Sequence, residues 1–293
     1  MAFRSGLVAV VGRPNVGKST LVNALVGQKV AIVSDKPQTT RRGMHAVLTT
    51  ETAQAVFADT PGFHKPKTEL GARLNEVVGD AVEGVDVILH VVDADTGIGR
   101  GDAFVYERKV RPHRCPKICV VNKVDVTGRR RTAPQLVAAA EIGDYDEIVP
   151  ISAKAGTGVG PLRELVLGLL PEGPALYPDE TLTDQPLEVR LAEMVREKAL
   201  HVTSQELPHS ITVTVDELGM GEALTKVHAS LIVERDSQKG IVIGKGGQTL
   251  RTIGSRAREE MELVLGTKVF LDLHVKVVKE WQRDPKALER LGF

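Results

Sequence analysis

Residues 7–20 read LVAVVGRPNVGKST: an apolar run from Leu7 to Val11, then Gly12, Arg13, Pro14, Asn15, Val16, Gly17, Lys18, Ser19 and Thr20. A continuous Val/Leu run of this length reads as a strand buried on both faces, and KSTLVNALVG after it has helical apolar spacing. Gly12 to Ser19 match G-x-x-x-x-G-K-[ST] in the strand-to-helix context that gives the pattern its meaning. Glycines let the main chain wrap closely around phosphates, while its N–H groups and the helix N-terminus face the anion. Lys18 then reaches the outer phosphates and the Ser19 hydroxyl ligates Mg²⁺. The stretch implies a nucleoside triphosphate site.

Outward from it, short apolar runs alternate with helical stretches as far as Leu170: AVFADT, DVILHVVDA, KICVVNKVD, EIVPISA and GPLRELVLGLL. This is the βα alternation of a mostly parallel sheet covered on both faces, so 1–170 is expected to be one α/β domain. Pro171, Pro174, Pro178 and Pro186 then interrupt helix and ladder alike, and 171–186 reads as a linker. Residues 187–293 read as an α+β domain. It contains an amphipathic stretch from Leu187 to about Ser204, an alternating strand in SITVTVDEL, a second strand Lys226–Val233, helical character over 237–265, the strand TKVFLDLHVKV and a helical tail.

The chain has 293 residues and balances 38 basic against 38 acidic side chains, so any binding to nucleic acid must be local. Ten aromatic residues make base-stacking platforms unlikely as the organising principle. No apolar run approaches the roughly 20 residues of a membrane span, and no signal peptide is evident. Cys115 and Cys119 have no second Cys or His pair to complete a metal site; they read as reduced thiols of a cytoplasmic chain, with Cys119 buried in a strand.

Two further motifs choose the base. Asn122, Lys123 and Asp125 close the strand KICVV, and Ser152, Ala153 and Lys154 close EIVPI. A carboxylate at Asp125 accepts both hydrogen bonds from the guanine edge, a donor pair that adenine lacks. Asp59, Thr60, Pro61 and Gly62 close AVFADT. There Asp59 fits a carboxylate holding Mg²⁺ through water, and the Gly62 amide fits the γ-phosphate. Between the first helix and the next strand, Thr39 or Thr40 closes over the metal in the triphosphate state. Two segments held by one phosphate make a switch.

Together GRPNVGKST, PQTTR, DTPG, NKVD and SAK resemble the P-loop GTPases, and in wording the bacterial Era family of ribosome-assembly GTPases, over nearly the whole chain. The resemblance implies GTP/GDP and Mg²⁺ as cofactors. It assigns Lys18 and the loop amides to the phosphates, Ser19 and Thr40 to the metal, Gly62 to the γ-phosphate, and Asn122, Asp125 and Ala153 to guanine. Thr40 is preferred to Thr39 because it directly precedes Arg41 in the family's TTR. The residue after DTPG is Phe63, where Ras-like enzymes carry the water-positioning Gln, and no arginine finger can be assigned, so slow intrinsic turnover is expected. Asn15 is open between two readings: a K⁺ ligand that replaces the arginine finger, as in related GTPases, or a plain loop-shaping residue.

Gly244, Lys245, Gly246 and Gly247 sit in KGIVIGKGGQTLRTIG, which resembles the G-x-x-G loop of a KH domain, a clamp for a single-stranded nucleic-acid backbone. Ser237–Arg258 holds five basic residues, Lys239, Lys245, Arg251, Arg256 and Arg258, and no acidic one. Periodicity reads GIVIG as a strand; the resemblance instead makes Gln238–Ile243 a short helix, with Ile241, Val242 and Ile243 on the groove floor. The expected architecture is a P-loop GTPase domain followed by a type II KH domain. The expected RNA contacts are Lys239, Ile241, Ile243, Gly244, Lys245, Gly246, Gly247 and Arg251. Resemblance implies binding near the 3′ end of 16S ribosomal RNA, a role in 30S subunit assembly and a monomeric state, and leaves open a peripheral membrane pool. The alternative is a regulatory GTPase whose second domain docks on a protein or membrane effector. Arg129, Arg130 and Arg131 read as a solvated loop, and Met194 as the core face of a helix.

Overall fold

The computed structural model describes residues 2–36, 39–63, 66, 68–203 and 210–293. Pro37 and Gln38 of the PQTTR motif, and Ser204 at the end of the amphipathic stretch, lie outside them. The chain divides into two compact units. One holds 1–33, 40–67 and 71–184; the other holds 185–293 with the short segments 34–39 and 68–70.

The first unit is built on a six-stranded sheet of order β2-β3-β1-β4-β5-β6, with β1 Arg4–Val11, β2 Met44–Thr49, β3 Ala53–Asp59, β4 Val87–Asp93, β5 Lys117–Asn122 and β6 Glu147–Pro150. Only β2 runs antiparallel, against β3. The apolar runs are continuous because alternate side chains enter different cores. Val8 and Val10 of β1 pack with Leu21 and Leu25 of α1 (Lys18–Val26) and Leu162 of α6 (Val159–Leu169) on one face. Ala9 and Val11 pack on the other face with Val78 of α2 (Glu69–Asp80), Val105 of α3 (Arg100–Val105) and Val110 of the π-helical turn that continues α3. Cys119 is buried in β5, and burial pushes its thiol up to about 12.

The remaining helices of this unit are α4 (Val124–Thr127) and α5 (Arg129–Ile142). The arginine triplet 129–131 is therefore the first turn of α5 and not a loop, since Gly128 ends α4 and directly precedes α5. The proline-rich stretch after Leu170 is strapped to the same unit. The Ser5 hydroxyl donates to the Pro174 carbonyl at 2.6 Å, the Gln54 side chain bonds the main chain of Leu176 and Tyr177, and the Val47 amide donates to Leu182 O at 2.9 Å. Each carbonyl and amide of a proline-interrupted segment needs some partner, and the sheet's side chains and edge supply them.

The second unit holds a three-stranded sheet, β7 Thr212–Gly219, β8 Leu224–Val233 and β9 Lys268–Val277. The β7–β8 pair is antiparallel with an irregularity between Val215 and Glu217, and β8–β9 is parallel. One sheet face packs on α7 (Leu187–Val202) through Leu191, Met194, Val195 and Ala199, and on α9 (Gln248–Leu265) through Ile253, Ala257 and Met261, spaced four apart on one helix face. The helix α8 (Asp236–Ile243) precedes the glycine loop, and α10 (Pro285–Arg290) lies near the C-terminus. No helix among the described residues is long and apolar enough to cross a membrane.

Candidate functional site

In a parallel sheet, ligands gather beyond the carboxyl ends of the strands, where the strand order reverses. Here β1 lies between β3 and β4, and register places Asp59 beside Val10, and Asp93 beside Asn122. Four strand ends therefore converge on the loop Gly12–Gly17. Lys18, 7% exposed, donates from Nζ to the carbonyls of Gly12 at 3.2 Å and Arg13 at 3.1 Å. Burial lowers its pKa to about 8, partly offset by the Asp59 charge. The Arg13 guanidinium turns away from the loop to buried Asp102 at 2.7 Å and the Gly97 carbonyl at 3.1 Å.

Three oxygens meet beside it. Ser19 Oγ donates to Asp59 Oδ2 at 2.7 Å and lies 2.8 Å from Thr40 Oγ1, itself 3.3 Å from Asp59 Oδ2. Thr39 instead donates its hydroxyl to Lys36 O at 2.6 Å. Asp59 is fully buried, its Oδ1 has no hydrogen-bond partner, and burial pushes its pKa up against the Ser19 bond and the Lys18 charge. A clustered hydroxyl pair and carboxylate with an unused buried oxygen fit a hard divalent cation that takes oxygen ligands. The loop after Asp59 abuts the phosphate loop. Thr60 donates to Val10 O at 2.7 Å, the Phe63 amide donates to Gly12 O at 3.2 Å, and a Cβ on Gly62 would lie 2.6 Å from the Pro14 backbone. The Phe63 ring stacks on Phe104 at 5.5 Å, with the Lys109 ammonium 5.0 Å from its centroid.

At the base end, the Asn122 amide staples two loops, donating to Val16 O at 2.9 Å and accepting from the Ala153 amide at 3.0 Å. Lys123 takes a left-handed backbone, and its ammonium bridges Asn15 O and Asp93 Oδ2, both at 2.7 Å. Ser152 Oγ accepts from the Ala155 amide at 3.0 Å. Asp125 and Lys154 are exposed, the former with its carboxylate unbonded among the described residues. Asp93 and Asp102, which hold Lys123 and Arg13, were invisible to motif spacing. The only signal was an acidic residue at the end of an apolar strand or inside a short helix.

In the second unit a 3₁₀ turn, Lys245–Gly247, joins α8 to α9. Gly246 sits at φ 60°, open and exposed, a backbone that a side chain adopts only with strain. A cavity of about 470 Å³ lies beside it, lined by Gly247, Leu250, Arg251, Gly254, Ser255, Arg258, Leu271 and Leu273. Of the expected RNA contacts, Gly247 and Arg251 line this cavity, and Lys239, Ile241, Ile243, Gly244, Lys245 and Gly246 lie on the helix and loop before it. Val242 is not a floor residue but fully buried in the core, while Ile241 is exposed. Three consecutive residues cannot share one helix face, because each is rotated by about 100° from the last. Leu271 and Leu273, which also line the cavity, come from β9.

These features define a class: a P-loop GTPase domain joined to a KH domain. A family model described as 50S ribosome-binding GTPase matches residues 7–123, and a KH domain model matches 206–282. The chain is 53% identical to the GTPase Era of Mycolicibacterium smegmatis, covering 99% of both sequences, and 49% identical to that of Nocardioides, covering 100% of this chain and 97% of the other. A crystal structure of Era in complex with MgGDPNP and nucleotides 1506–1542 of 16S ribosomal RNA superposes with a TM-score of 0.95 at 41% identity, covering 99% of each chain. An Aquifex aeolicus Era variant bound to GDP·AlF4⁻ does so equally. The chain belongs to the Era family of GTPases.

Proposed function

We propose that this GTPase is a Mg²⁺-dependent switch that binds the single-stranded 3′ region of 16S ribosomal RNA through its KH groove and assists 30S subunit assembly in the cytoplasm. The observation that carries the reading is the full-length likeness to the Era complex that holds both MgGDPNP and that RNA segment, supported by the Ser19–Asp59 cluster and the cavity beside the glycine loop.

Lys18 and the loop amides bind the phosphates, and Asp125 selects guanine. Ser19, Thr40 and Asp59 would hold Mg²⁺, which when bound neutralises phosphate charge. Loss of the γ-phosphate removes what holds the loops around Thr40 and Gly62, so they relax together. In the groove, backbone contacts at the glycine loop position the strand, and base edges over Leu250, Leu271 and Leu273 give selectivity. Asn15 is a candidate K⁺ ligand, and hydrolysis in KCl against NaCl at equal ionic strength decides between that and a loop-shaping role.

Fluorescence anisotropy of a labelled 16S 3′-end oligonucleotide, with GDP and with a non-hydrolysable GTP analogue, tests the whole. Tighter binding with the analogue is expected, because the nucleotide must then favour the RNA-competent conformation. Absence of binding in both states would overturn the RNA reading and favour a protein effector.

A further inference from the structure

The first unit carries a second concentration of positive charge that neither site uses. Residues 106–117 read YERKVRPHRCPK: Arg108, Lys109, Arg111, Arg114 and Lys117 with His113, against the single acid Glu107, in a chain whose charges cancel overall. The segment is the π-helical turn Tyr106–Val110 and the connection into β5. It is held from within. The Tyr106 hydroxyl accepts from the Asp144 amide at 2.8 Å and donates to its carbonyl at 3.1 Å, the ring packs edge-on to Tyr145, and Val110 is fully buried. With those two residues fixed inside, the basic side chains point out, and Arg108, Arg111 and Arg114 are exposed.

Two of the nearby acids are bonded to main-chain amides and two face single members of the cluster. Glu107 bonds Arg111 at 2.8 Å, the Asp86 carboxylate accepts from the Leu7 amide, and Asp146 accepts from the Lys117 amide; Glu83 acts on His113. Among the described residues neither Arg108 nor Arg114 forms an ion pair. Exposed cations on a turn anchored by Tyr106 and Val110 fit a polyanion read through its phosphates alone.

We propose that this turn is a docking surface for the sugar-phosphate backbone of double-stranded ribosomal RNA, separate from the single-strand groove; the choice of ribosomal RNA rests on the function proposed above. Lys109 belongs to the same surface and sits on the ring of Phe63, next to the DTPG loop, so the surface borders the segment that senses the γ-phosphate.

The test uses the full chain with two probes, a blunt RNA hairpin duplex and the single-stranded 16S 3′-end oligonucleotide. Arg108→Glu/Arg114→Glu should weaken duplex binding about tenfold or more, and Arg108→Gln/Arg114→Gln should flatten its salt dependence by about two in log–log slope. Both should leave oligonucleotide binding and RNA-free GTP hydrolysis unchanged. Gly246→Asp should do the reverse, losing the oligonucleotide and keeping the duplex. Duplex affinity and salt slope unchanged in both arginine variants would overturn the proposal and leave the turn to an acidic protein partner. If wild-type protein binds the duplex but not the oligonucleotide, the groove reading fails while this one stands.

Discussion

The nucleotide site and the RNA groove show two ways of recognising phosphate. In the first, the charged groups at the phosphate end are interior: Lys18 and Asp59 are buried, and hydrogen bonds from Lys18, Ser19 and Asn122 tie neighbouring loops together. In the second, Lys245, Arg251 and Arg258 are exposed around an open apolar floor. A desolvated, pre-bonded site turns each contact into a large and directional energy. A solvated one works by shape and by a salt-sensitive field.

The contrast breaks or sharpens in a graded series of experiments. Lys18→Ala should lower GTP and GDP affinity by roughly a hundredfold, on the scale of about 1.5–3 kcal/mol for a hydrogen bond to a charged group, while the nucleotide-free protein keeps its RNA affinity. Calorimetric titration checks this, and near-normal nucleotide binding would remove the contrast.

Next comes the interior beneath the loop. Fully buried His90 is held neutral, its pKa lowered to about 3 by burial and by Arg13 and Lys18, with Nδ1 2.7 Å from the Tyr145 hydroxyl. Its folded pKa lies below the unfolded value of about 6.5, so its unfavourable protonation costs stability as pH falls below that point, by up to about 1.4 kcal/mol per pH unit. Roughly 2 kcal/mol should be lost between pH 7 and pH 5. Urea unfolding at the two pH values should show a distinctly smaller difference for His90→Gln than for wild type.

Gly246→Asp should reduce oligonucleotide affinity by about tenfold or more, through repulsion of phosphate by the added carboxylate, with GTP binding intact. Thr40→Ala should raise the Mg²⁺ concentration for half-maximal hydrolysis several-fold, whereas Thr39→Ala should not, because only Thr40 reaches Ser19 and Asp59. The smallest effect is expected for Arg258→Gln: a fall of about 0.7 in the log–log salt slope for single-stranded RNA. An effect there as large as that of Lys18→Ala would mean the groove is as desolvated as the nucleotide site.

Much of this was written in the chain's order. A five-residue apolar run before G-x-x-x-x-G-K-S can only be a buried strand feeding a helix, so the phosphate loop was legible without coordinates. NKVD, SAK and DTPG were legible for the same reason, each ending a strand of the same period. The helix before the glycine loop was not, because GIVIG has the composition of a strand and only its tertiary neighbours hold it as α8. For the same reason Val242 was placed on the groove floor when its rotation about the helix puts it in the core.

The sequence by itself determined where the nucleotide-site motifs stand, since the apolar runs that precede them are read locally: Lys18 and Ser19 open α1, Asp59 ends β3 and Asp125 follows β5. Tertiary structure alone decided which side chains support them. Asp102 reaches Arg13, Asp93 reaches Lys123, and Leu271 and Leu273 meet Arg251 across a groove. Those partners are distant in sequence and unmarked by any period, and only a parallel sheet that gathers its strand ends, or a helix laid beside a strand, brings them within reach.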